Sequence, residues 1–94
     1  MVYIVKAFIW SDEKNKLLQQ ERGVSFEDIV EAIADGYLLD SIEHPNSDKY
    51  ANQSVFIVAV KEYVYCVPYV ESESGVFLKT IFPSRKMKKI YLGD

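Results

Sequence analysis

The segment Pro83–Lys89, PSRKMKK, gathers the side chains best suited to hold a phosphate. Arg85 offers a planar guanidinium that bonds phosphate bidentately, and Lys86, Lys88 and Lys89 set point charges around it. Lys79 lies a short way upstream. A second segment, IWSDEKN at Ile9–Asn15, places Lys14 and Asn15 near the start of a helix, with Trp10 as an anchor before it. Metal-free RNA cleavage uses groups of this kind. The 2′-hydroxyl attacks the adjacent phosphorus, and negative charge grows on the phosphorane oxygens. Fixed positive charge lowers that barrier, while a general base and acid assist the proton transfers. Arg85 with Lys14, Lys79 or Lys86 supplies the charge. The sequence names no proton acceptor as readily.

Other chemistries find little support. His44 is the only histidine and Cys66 the only cysteine. Neither has carboxylates at metal-ligand spacing, so no metal or cofactor is expected. The glycines are scattered at helix ends and turns, so no phosphate-cradling loop is present. A Ser–His–Asp or Cys–His site would have to use His44, which precedes a proline and reads as a turn residue. Cys66 alternates with Val64 and Val70 and reads as a small core residue.

The charge is unevenly spread. Residues 1–78 carry 6 Lys+Arg and 13 Asp+Glu, a balance of −7. Residues 79–94 set Lys79, Arg85, Lys86, Lys88 and Lys89 against Asp94 alone, a balance of +4. A basic end on an acidic body suits a polyanion or a solvated tail. The 94 residues make one domain, and 49% apolar with 14% aromatic residues argues against disorder over most of the length. With one cysteine there is no internal disulfide. No signal-peptide pattern or membrane span is read, so the expected location is cytoplasmic.

The elements that must position these residues are marked by local signals. Val2–Trp10 is rich in β-branched and aromatic residues and reads as a strand. Ser11 caps a helix running to about Arg22, with Asp12 and Glu13 in its first turn and Gly23 as its stop. Ser25 and Asp28 form a capping box for a second helix. Phe26, Ile29, Val30, Ile33 and Tyr37 make its apolar stripe, with Gly36 as its stop. Leu38–Glu43 is a short strand, and His44–Gln53 a turn-rich loop. Ser54–Val60 is a central strand, followed by a two-residue break at Lys61–Glu62. Tyr63–Val70 puts Tyr63, Tyr65, Val67 and Tyr69 on one face, part of which is free to meet a partner. Pro68 marks a bulge or an unpaired stretch. After the turn Glu71–Gly75, the strand Val76–Phe82 puts Val76, Leu78, Thr80 and Phe82 on one face and Phe77, Lys79 and Ile81 on the other. Ser84 caps a short basic helix to Leu92. The expected fold is α+β: a β-α-α opening, an antiparallel sheet of about four strands, and a short C-terminal helix.

In this order of elements, and in three motifs, the chain resembles the BrnT ribonuclease toxins, which are related in fold to the RelE-type toxins. Trp10-Ser11-Asp12-Glu13-Lys14-Asn15 is similar to an opening (F/W)D-x-x-K-N motif. Glu21-Arg22-Gly23-Val24-Ser25-Phe26-Glu27-Asp28 is similar to K-H-G-V-S-F-E-E. Pro83-Ser84-Arg85-Lys86-Met87, followed by Tyr91, is similar to a closing S-A-R-x-A-T pattern. Arg22 stands where a histidine is usual, and the glutamate of the C-terminal helix has no clear equivalent. The resemblance implies a RelE-like fold and a metal-independent endoribonuclease that inhibits translation. It also implies an RNA substrate and a cognate antitoxin bearing a ribbon-helix-helix DNA-binding domain. Arg85 and Lys14, assisted by Arg22 and Lys79, are then the catalytic candidates. Lys86, Lys88, Lys89 and Asn15 are the RNA-binding ones. Two other readings stand beside it: a non-catalytic toxin-fold module that binds a protein partner, and a plain RNA- or DNA-binding domain using the basic end.

Overall fold

The computed structural model describes residues 7–43 and 53–93. His44 and most of the expected 44–53 loop therefore lie outside the described residues, as does the start of the first expected strand.

Strand β1 (Phe8–Ile9) leads into helices α1 (Asp12–Arg22) and α2 (Phe26–Ala34). Strands β2 (Leu38–Glu43), β3 (Gln53–Val60), β4 (Tyr63–Ser72), β5 (Gly75–Leu78) and β6 (Phe82–Pro83) follow, and helix α3 (Arg85–Leu92) closes the order. The local signals act as expected. Ser11 caps α1 by accepting the Lys14 N–H, and Gly23 ends it in the left-handed region at φ 66°. Ser25 and Asp28 close a reciprocal capping box on α2. Tyr37 is a correction: α2 stops at Ala34, and Tyr37 lies past Gly36 with its ring 56% exposed. Its carbonyl accepts from the Ala59 N–H and starts β2 against β3.

The sheet is mixed, with strand order β1-β5-β4-β3-β2. β2 to β5 form an antiparallel meander, but β1 lies parallel to β5, so the wholly antiparallel expectation is corrected. Lys61 and Glu62 form the β3–β4 turn with φ of 52° and 66°. Positive φ at both central residues matches the twist of a tight hairpin, although neither residue favours it.

Pro68 explains a second departure. It pairs with Val55 on the β3 side, while its carbonyl points to the other edge and accepts the Lys79 N–H at 2.8 Å. Having no N–H to return, it breaks the ladder there. β5 pairs with β4 up to Tyr69↔Leu78, and pairing resumes in β6 at Cys66↔Phe82. The break shifts the alternation. Ile81 is fully buried in the same cluster as Leu78, and Phe82 turns to the opposite face.

Two apolar layers flank the sheet. Under α1 and α2, Leu18, Phe26 and Ile29 pack on Val58, Val67, Leu78 and Ile81, with Trp10 stacked on Phe26 at 5.7 Å. The tyrosine face belongs to this layer. Tyr69 is buried, stacks on Phe56 at 3.7 Å and bonds Ser41 through its hydroxyl at 2.6 Å, while Tyr65 packs against the same cluster. Most of that face is therefore core, while Tyr63 and Tyr65 are half-buried. On the opposite face Val55, Ile57, Val64 and Cys66 are covered by Met87 and Tyr91 of α3. Among the described residues no helix is long and apolar enough to cross a membrane.

Candidate nucleic-acid interface

Helix α3 is built to lie on the sheet with its cations outward. Ser84 caps it by accepting the Met87 N–H, and donates its own N–H to the Val64 carbonyl, which fixes the start of the helix to β4. Met87 and Tyr91, four apart, form the single edge that packs. The Tyr91 hydroxyl donates to Asp40 Oδ2 at 2.7 Å and ties the last turn to β2. That bond holds the Asp40 carboxyl below its ordinary value and raises the Tyr91 phenol. Arg85, Lys86 and Lys89 are exposed, and Lys88 lies with its ammonium 5.2 Å from the Tyr63 ring centroid.

The first turn of α3 carries no acidic residue. Arg85 and Lys86 stand there instead, where the helix dipole already places partial positive charge. The arrangement costs the helix some stability and concentrates positive potential at one point. A phosphate bound there would relieve it.

Lys79 stands just past β5. Its ammonium sits 5.9 Å from the centroid of Phe77. Arg22 approaches from α1, with Nη1 donating to the Ile81 carbonyl at 3.2 Å, so the α1 C-terminus is held to the link between β5 and β6. Lys79, Arg85, Lys86, Lys88 and Lys89 thus belong to one stretch of chain, from the residue after β5 through α3, and Arg22, on the helix layer across the sheet from α3, touches that stretch at Ile81.

Asn15 does not join them. Lys14 is in the first turn of α1, shortly after β1, which pairs in parallel with β5, and about 12 Å along the helix axis from Arg22. Asn15 is buried, and both halves of its amide are engaged inside the protein. Its Nδ2 donates to Glu27 at 2.6 Å and its Oδ1 accepts the Phe26 N–H at 2.7 Å. This staple between α1 and α2 replaces the expected RNA contact, because an amide buried between two helices and bonded at both ends is held away from a ligand at the surface. The bond also holds the Glu27 carboxyl below its ordinary value, with Asn15 the largest cause.

Cys66 is buried beneath α3, and burial pushes its thiol up, away from the reactive thiolate. Among the described residues no group of three or more His, Cys, Asp or Glu is placed to hold a metal ion. Sequence reasoning missed the Asp40–Tyr91 pair, whose partners are far apart in the chain, and the exposed rings of Phe77 and Phe82. An open groove of ≈ 840 Å³ lies around the β3–β4 turn and reaches α3: Asp28, Glu31 and Asp35 form its α2 wall, and Lys61, Lys88 and Leu92 also line it. Its acidic wall makes it a poor seat for a polyanion. No known family, curated protein or solved structure matches the chain.

Proposed function

We propose that this chain engages RNA through α3 and the adjoining end of β5, as a small toxin-like domain, and that Arg85 stabilises the reacting phosphate in a metal-independent endoribonucleolytic cleavage. One observation carries the reading. Arg85, Lys86, Lys88 and Lys89 stand on one short helix that holds no carboxylate, at the N-terminal end of which two of them reinforce the helix dipole. Lys79 extends the cationic stretch along the chain, and Arg22 touches the same segment at Ile81. The RelE-like arrangement that the sequence motifs resemble, and an antitoxin of the ribbon-helix-helix kind covering the basic region, belong to the same proposal.

A second reading is favoured by a specific observation. The titratable pair nearest α3 is Asp40–Tyr91, and its two groups are hydrogen-bonded to each other. No described carboxylate or imidazole bonds Arg85. A module that binds without cleaving, or that serves only a protein partner, fits that arrangement.

Expression of the wild type and Arg85→Ala from a tightly controlled promoter, with total RNA followed after induction, tests the proposal. The wild type should arrest growth and degrade RNA, and Arg85→Ala should do neither while remaining folded. Equal RNA decay in both would remove Arg85 from the chemistry. Intact RNA in both, with purified wild type still binding RNA, would establish the non-catalytic reading.

A further inference from the structure

We infer that the sheet face beside α3 is a stacking platform for the unpaired bases of single-stranded RNA, with Phe77 and Phe82 as the rings that receive them. The inference rests on the proposal that this region binds RNA, and it names the form of RNA taken.

The register places the two rings. Phe77 pairs with Val70 and Phe82 with Cys66, and facing residues of an antiparallel pair share a face. Val70 and Cys66 are four residues apart on β4, so both point to that one face and the two phenylalanines are about 13 Å apart along it. It is the face on which α3 lies, but Met87 and Tyr91 cover the part around Val55, Ile57, Val64 and Cys66. Phe77 and Phe82 are each 39% exposed, and Ile9, paired with Phe77, is 41% exposed. Lys79 stands between the two rings in the chain, and its ammonium lies over Phe77. Arg85 and Lys86 follow Phe82 within one helical turn.

The result is an alternation of ring and cation: Phe77, Lys79, Phe82, Arg85, Lys86. An exposed apolar pair alone would suit many partners. Interleaved cations select one that offers a flat apolar surface and a negative charge together, repeated along its length. Unpaired nucleotides have both, because every base has a π-face and every link a phosphate. A duplex hides its bases in the stack and offers only the phosphates.

Binding of a fluorescein-labelled, 2′-O-methylated single-stranded RNA, which cannot be cleaved through its 2′-oxygen, is the direct test. Anisotropy should show Phe77→Leu and Phe82→Leu each weakening binding about tenfold, since leucine keeps apolar packing but cannot stack. Phe77→Tyr and Phe82→Tyr should bind like the wild type. The matching RNA duplex should bind more weakly than the single strand, and single-stranded DNA should follow the single strand. Wild-type binding that falls with Arg85→Ala but is unmoved by either leucine variant, or equal binding of duplex and single strand, would overturn the platform and leave the RNA proposal standing. No binding by the wild type would overturn both.

Discussion

Asn15 has the same neighbours in sequence as a site residue and the opposite role in the structure. Its side chain bridges two helices, satisfying the buried N–H of Phe26 and donating to Glu27. Asn15→Ala leaves that N–H without its partner, and an unsatisfied buried donor costs about 1–3 kcal/mol. Urea denaturation at neutral pH should register a loss of that size, with RNA binding of the folded variant unchanged. A pH effect follows from the same bond. Glu27 titrates below its ordinary value of 4.5 in the folded chain, so its contribution is complete above that value and is lost as pH falls through the lowered one. In Asn15→Ala the Glu27 carboxyl returns toward its ordinary value, and the fall in stability on acidification should be shallower. A variant as stable as the wild type, or one with the same acid dependence, would show that the staple contributes little.

The elements divide into those that local chemistry specifies and those that need a partner strand. Gly75 illustrates the second kind. A Cβ built there would lie 2.5 Å from the Ala7 carbonyl oxygen, and its φ of +152° is one that side chains rarely adopt. The same carbonyl accepts the Val76 N–H at 2.9 Å, the bond that seats β1 on β5. Gly75→Ala should therefore destabilise the chain by about 2–3 kcal/mol, the scale of a strained backbone position. Hydrogen exchange should show the Val76 amide losing protection before those of β3. Uniform loss across the sheet would mean that β1 is not a separable edge. The N-caps of all three helices and the stop of α1 were legible from Ser11, Gly23, Ser25, Asp28 and Ser84, because each acts within one turn of itself. Leu38–Glu43 was legible from its composition. The parallel seat of β1 was not, since β1 and β5 stand near opposite ends of the chain. Pro68 was legible as a break, but only the edge it faces decides what breaks. That edge moves Ile81 into the core and Phe82 out of it, so alternation read straight through Val76–Phe82 fails after Lys79. The cationic half of the candidate site was legible because it is contiguous. The ring half was hidden by the same shift of one face.

At the scale of the whole molecule the chain is polar in charge. The exposed surface of α2 carries Glu27, Glu31 and, at its cap, Asp35, while α3, on the other side of the sheet, carries four cations. The net charge of −3 thus describes neither face. A polyanion would be repelled by the α2 surface and attracted by that of α3, so weak overall acidity is compatible with the proposed RNA binding. The salt dependence of binding measures how many cations take part. Each phosphate neutralised on a single strand lowers the slope of log K against log salt by about 0.7, so contacts from Lys79, Arg85, Lys86, Lys88 and Lys89 together predict a slope of about −3.5. Lys86→Ala and Lys89→Ala should each bring the slope about 0.7 closer to zero. Neither substitution removes a packed side chain, because Met87 and Tyr91 form the covered edge of α3. Phe77→Leu and Phe82→Leu, by contrast, should weaken binding at every salt concentration and leave the slope unchanged, since stacking releases no counterions. A wild-type slope near −1 would confine the contact to one or two charges and make α3 a solvated helix. A slope near −3.5 that Lys86→Ala and Lys89→Ala fail to change would move the interface off α3 altogether.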